Sequence, residues 1–305
     1  MDKLKKKLNI TSDDFQKSDF LENYLSNLNK YLQKFKNNLT IKNKNYPIIY
    51  VVGLPRSGTT LLSQLLSRYL SVGYINNLIA RFWMNPEVGI RISETVIKRS
   101  ERSKIKFKSI QGVSEEPWGP HEFGYFWSHW LKLDDFTSHK LSNSHLLKVD
   151  KKGLKKQLKT IINVFQSPVV FKNIICGLQA SFLSSIHPNS LFILIERDTK
   201  SVASSILKCR KQRFGNERIW WSVKPSSYSN IIKIESPIKQ IKCQILDTSN
   251  DLNHELEKPN VNCIRIKYED LCSNPFKKLQ MIRDKVSTLG YSLDFTECKP
   301  KIILK

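Results

Sequence analysis

Between Gly53 and Thr60 the chain places two glycines five positions apart, one guanidinium and three hydroxyls, in the run Gly53-Leu54-Pro55-Arg56-Ser57-Gly58-Thr59-Thr60. Glycines at that spacing let a backbone fold around an anion, and Arg56, Ser57, Thr59 and Thr60 add a charge and hydrogen-bond donors to the cradle. Such a loop serves to hold a phosphate-like group. A nucleotide P-loop carries lysine directly after its second glycine. Here Thr59 stands there, and the cation comes two residues before that glycine, as Arg56.

Three further groups have the types needed for chemistry on a bound anion. Lys172 closes a short apolar run at residues 167–173. Arg197 follows a second apolar run, and Ser205 lies eight residues after it, from the strand end to the second turn of the helix that follows. Candidate proton acceptors sit in the segment 114–130, where Glu115, Glu116, His121 and Glu122 precede a dense set of aromatic residues.

The elements that must position these groups are legible from periodicity. Residues 48–52 form a β-branched apolar run bounded by Pro47 and Gly53, as expected of a strand covered on both faces. Leu61, Leu62, Leu65, Leu66 and Tyr69 fall at helical spacing, so the loop opens into a helix N-terminus. Helices are predicted over 154–165 and 199–213, with strands before Lys172 and Arg197. Lys172 at a strand's carboxyl end faces the same crevice as the loop. A helix from about 121 to 131 would set Glu122, Tyr125, Phe126 and His129 on one face, either as an acceptor pocket or as core aromatics beside surface polar groups. Leu21, Tyr24, Leu25, Leu28, Tyr31, Leu32 and Phe35 trace one face of a leading amphipathic helix over 18–37, which is expected to pack on the core.

With 305 residues and 40% apolar composition the chain suits one large α/β domain. No run of about 18 apolar residues is present and Met1 to Lys7 lack an apolar signal-peptide core, so a soluble cytoplasmic protein without a transmembrane segment is expected. The six cysteines are scattered without a Cys-x-x-Cys pair, which argues for free thiols and against a metal site. The net charge of +23 comes largely from lysine-rich stretches such as 34–44 and 148–159, read as solvated surface, with some attraction for an anionic nucleotide or acceptor.

The run Pro-Arg-Ser-Gly-Thr-Thr-Leu-Leu resembles the 5′-phosphosulfate loop of the sulfotransferase superfamily, and Arg197 with Ser205 resembles its 3′-phosphate site. Lys172 is similar to the catalytic lysine of the tyrosylprotein branch, and the Pro120-His121-Glu122 run to an acidic segment of the bacterial branch. Residues 264–275 resemble a strand-and-helix segment of the family, and the likeness covers about 47–290. It implies a three-layer α/β/α fold with a mainly parallel, P-loop NTPase-like sheet, a sulfotransferase domain over 46–305 and an N-terminal helix and linker over 1–45. It also implies a nucleotide co-substrate, 3′-phosphoadenosine-5′-phosphosulfate (PAPS), released as adenosine 3′,5′-bisphosphate, with no metal. Lys172, Arg56, Glu122 and His121 would be catalytic, while Arg56, Ser57, Gly58, Thr59, Thr60, Arg197 and Ser205 would hold the co-substrate. Asn76 and Asn77 stand where the tyrosylprotein enzymes have a glutamate, and Asn173 where the cytosolic phenol and steroid enzymes have a histidine. The likeness is therefore closer to the bacterial and tyrosylprotein branches. The acceptor is open, anionic or aromatic by the character of the segment. A P-loop kinase would need the missing lysine and a magnesium-binding acid. A nucleic-acid-binding protein would need a recognition module that the chain lacks.

Overall fold

The computed structural model describes residues 18–34, 45–133 and 137–296. Met1 to Lys7, Phe35 and Cys298 lie outside them. In chain order the main elements are α1 (Asp19–Leu32), β1 (Ile48–Gly53), α2 (Thr59–Tyr69), β2 (Gly73–Tyr74), α3 (Pro86–Val96), α4 (Gly124–Leu131), α5 (Lys151–Phe165), β3 (Val169–Lys172), β4 (Ser190–Glu196), α6 (Thr199–Phe214), α7 (Pro237–Leu256), β5 (Cys263–Lys267) and α8 (Pro275–Ser287). The sheet runs in the order β2-β3-β1-β4-β5 with every pairing parallel.

All six residues of β1 are buried, because its side chains alternate between two apolar layers. Ile48, Tyr50 and Val52 join one layer with Phe171, Phe192, Trp127 and the α5 residues Leu154, Leu158 and Ile161. Ile49 and Val51 join the other with Leu62, Leu65 and Leu66 of α2 and Leu279, Ile282 and Val286 of α8. The expected three-layer α/β arrangement follows. Tyr50 stacks on Phe192 with ring centroids 4.7 Å apart, which locks β1 against β4 at the centre of the sheet. The same alternation turns Phe171 to the first layer and the next residue, Lys172, toward α2.

Two predicted helices differ from expectation. α1 packs through Glu22, Leu25 and Asn29, while Leu21, Tyr24 and Tyr31 of the predicted stripe are exposed. Leu25 and the partly buried Leu28 of the stripe do pack on the core as expected, and polar anchors replace the remainder of the face. Asn29 donates to Leu25 O and Arg81 O and accepts from Met84 N, and the Tyr125 hydroxyl donates to Glu22. α4 begins at Gly124, not near 121, because Phe123 takes a left-handed φ of 56° and its N–H donates to His121 Nδ1. The proposed shared face therefore does not exist. Phe126 goes to the core, Tyr125 bonds Glu22, His129 is exposed and Glu122 lies before the helix.

Among the described residues the cysteines are free thiols, and no helix is long and apolar enough to cross a membrane.

Candidate functional site

A cleft of about 1070 Å³ opens at the carboxyl ends of the strands, where the order reverses about β1. Its floor is the Gly53–Thr60 loop. Gly53 and Gly58 have φ of 156° and 107°, and Arg56 takes a left-handed φ of 68°, so the chain turns sharply from β1 into α2. Gly58 is the N-cap of α2 and no side chain caps the helix, leaving its first N–H groups to the cleft. Ser57 is fully buried, outside the described lining of the cleft, and its hydroxyl has no partner among the described residues.

Gly58 is required for two reasons. A Cβ there would lie 2.3 Å from the Tyr268 ring, and φ of 107° disfavours any side chain. Gly58→Ala should lower unfolding free energy by about 1–3 kcal/mol, measured by denaturant titration. Part of that loss should be recovered in a Tyr268→Ala background, where the collision is relieved. Equal losses in both backgrounds would show that the ring is not what the glycine accommodates.

The three cations expected at the site converge on this loop. Arg197 Nη1 donates to Arg56 O at 3.0 Å, and its guanidinium lies 4.3 Å from the Tyr268 ring centroid. Arg56 Nε donates to Ser205 Oγ at 2.9 Å, so Arg56, Arg197 and Ser205 form one connected group. Lys172 is buried, and three oxygens take its three N–H donors: Thr60 Oγ1 at 3.2 Å, Gly112 O at 3.2 Å and Glu122 Oε1 at 3.0 Å. Thr60 also donates to Gly112 O.

Glu122 reaches this point without a helix to carry it. Asn173 Nδ2 donates to the Glu122 carbonyl at 3.0 Å, and the Glu122 side chain, 61% exposed, faces the open cleft. Although much of the side chain is reached by solvent through the open cleft, the protein groups crowded around it push its carboxyl up, but Lys172, His121 and Arg213 outweigh this and hold it below the ordinary value. Glu115 and Glu116 also line the cleft, with Glu116 3.8 Å from Lys106. His121 is not among the described lining residues, and its Nδ1 is occupied by the Phe123 N–H. Asn76 and Asn77 serve structure. Asn76 bonds Ser93 and caps the turn at Ile79, while Asn77 holds the backbone of Ser114 and Glu116.

Sequence reasoning overlooked three contributors. Tyr268 follows the carboxyl end of β5, so the crevice rule used for Lys172 would have found it. Arg213 shares a helical face with Ser205 and Cys209 at i, i+4 and i+8, and burial lowers its pKa. The turn at Gln111 and Gly112, with φ of 50° and 88°, arches over the loop, and Arg213 Nε donates to Gln111 Oε1 at 3.2 Å. Only the Gly in that turn signalled it.

The arrangement can bind a polyanion and stabilise charge growing near Lys172, with a carboxylate beside it to accept a proton. The model of the sulfotransferase family matches residues 47–288. Among solved structures the fold is similar to that of sulfotransferase STF9 from Mycobacterium avium, at a TM-score of 0.53 and 14% identity over 91% of this chain and 74% of that one. It is similar also to sulfotransferase STF1 from Mycobacterium tuberculosis H37Rv, at a TM-score of 0.50 and 13% identity over 88% of this chain and 72% of that one. No curated protein sequence matches the chain.

Proposed function

The chain belongs to the sulfotransferase family, and from that premise we propose that it moves a sulfuryl group from PAPS to a hydroxyl or amine of an acceptor, releasing adenosine 3′,5′-bisphosphate in the cytoplasm. The observation that carries this reading is the convergence of Arg56, Arg197 and Lys172 on an uncapped helix N-terminus, with Glu122 against Lys172. The donor set fits a nucleotide with two separate anionic groups. Arg197 and Ser205 would hold the 3′-phosphate, and Arg56, Ser57, Gly58, Thr59 and Thr60 the 5′-phosphosulfate, through side chains and loop N–H groups.

PAPS, when bound, supplies sulfur already attached to a phosphate leaving group. Glu122 takes the proton of the acceptor as its oxygen or nitrogen bonds to sulfur. Lys172 then stabilises the electron pair that the broken S–O bond leaves on the phosphate oxygen, aided by Arg56. As Lys172 turns to that charge, Glu122 loses its closest cation and becomes a stronger base. Phe107, Trp221, Lys106, Lys108 and Arg213 line the rest of the cleft and suit an anionic or aromatic acceptor.

Incubation with sulfur-labelled PAPS and a cell extract tests the reading, with label expected in an acceptor. Binding of ATP in preference to PAPS, without label transfer, would overturn it in favour of a kinase. Arg197→Ala separates the phosphates. It should weaken adenosine 3′,5′-bisphosphate roughly 10- to 150-fold by calorimetry, the worth of a charge-assisted bond, and adenosine 5′-phosphate far less. Equal weakening of both ligands would remove Arg197 from the 3′-phosphate.

A further inference from the structure

Lys172 and Asn173 are consecutive, and both grip Glu122. Side chains of adjacent residues at a strand's end point in opposite directions, so the two hold it from two sides. Lys172 Nζ takes the carboxylate at 3.0 Å, and Asn173 Nδ2 takes the backbone carbonyl at 3.0 Å. Asn173 is itself fixed: it is 6% exposed, and its Oδ1 accepts from Ile175 N at 2.9 Å, capping the short helix Ile174–Leu178. Glu122 itself lies in no helix or strand, between His121, whose N–H donates to Ile75 O, and the left-handed Phe123.

We propose that Asn173 is the positioning residue of the proton-accepting Glu122, keeping that carboxylate in the cleft once Lys172 turns to the donor. The inference rests on the assignment of Glu122 as base. The Lys172 contact is the one that turnover must loosen, whereas the Asn173 contact is to backbone and survives every protonation and charge state of the reacting groups. The groups that act on the Glu122 charge are Lys172, His121 and Arg213. By holding the Glu122 backbone, Asn173 keeps the carboxylate within reach of these groups.

The two roles of Asn173 can be separated by Asn173→Ser. Serine also caps a helix but cannot reach the Glu122 carbonyl, so a capping role predicts near-normal behaviour. Positioning predicts a rate of label transfer from sulfur-labelled PAPS to cell extract lower by roughly 10- to 100-fold, the scale of a 1 Å misplacement, with the Kd of adenosine 3′,5′-bisphosphate unchanged. It also predicts that the Glu122 carboxyl, followed by NMR titration, rises toward its ordinary pKa in Asn173→Ser. In a Glu122→Gln background Asn173→Ser should add nothing. A Glu122 titration unchanged by Asn173→Ser, or an equal further loss in the Glu122→Gln background, overturns the proposal while leaving Glu122 as base. Normal turnover in Glu122→Gln alone would remove the base assignment and the proposal with it.

Discussion

Lys172→Ala is expected to lower turnover by about 10²- to 10³-fold, the range for removing one preorganised donor from a developing charge, while changing the Kd of adenosine 3′,5′-bisphosphate much less. The split follows from what Lys172 touches. In the free protein its three N–H donors are satisfied by Thr60, Gly112 and Glu122, so binding an anion exchanges one set of acceptors for another and gains little. The gain appears where the leaving oxygen becomes negative, since only charge that grows in the transition state adds to what Lys172 already meets in its ground-state contacts, the Glu122 carboxylate included. Arg56→Ala should instead lower both affinity and turnover, because it removes the loop's own guanidinium and its bond to Ser205, while the backbone carbonyl that Arg197 holds is kept. Single-turnover rates and calorimetry on folded variants check this. A Lys172→Ala enzyme with raised KM for PAPS and intact kcat would make Lys172 a ground-state binding residue.

Glu122→Gln should fold and bind adenosine 3′,5′-bisphosphate normally, yet lose acceptor-dependent turnover by about 10²- to 10⁴-fold. The substitution keeps size and removes basicity. The pH profile gives a second check. The Glu122 carboxyl is held below its ordinary value, so kcat/KM should rise with pH through a limb below the usual carboxylate range and stay level toward neutrality. That limb should vanish in Glu122→Gln. His121→Ala should retain most turnover, because His121 lies outside the described lining of the cleft and its effect on the Glu122 carboxyl is secondary to that of Lys172. A dead His121→Ala or Glu116→Gln enzyme beside an active Glu122→Gln would move the base to that residue.

Glu122 came forward from the sequence on the likeness of the Pro120-His121-Glu122 run to the bacterial branch and on a helical face that does not form. Its place in the cleft has another cause, the paired grip of Lys172 and Asn173 on a residue ahead of α4. Asn173 itself was noted only for not being histidine. A carboxamide that bonds a backbone carbonyl leaves no spacing signature, since any residue could carry that carbonyl.

What the sequence determined by itself is what short-range physics controls. The buried run of β1, the glycines at 53 and 58, the hand-over into α2 and Lys172 at the end of β3 all follow from side-chain alternation, helical period and the φ freedom of glycine, which act within a few residues. Arg197 and Ser205 were placed on a strand end and the following helix by the same rules. Tertiary structure alone decided the rest. Lys172 meets Thr60 across 112 positions and Gly112 across 60, α1 turns its polar residues Glu22 and Asn29 inward, and Tyr268 packs on Gly58. Such contacts depend on how whole layers stack, and a local pattern carries no term for a partner so far along the chain.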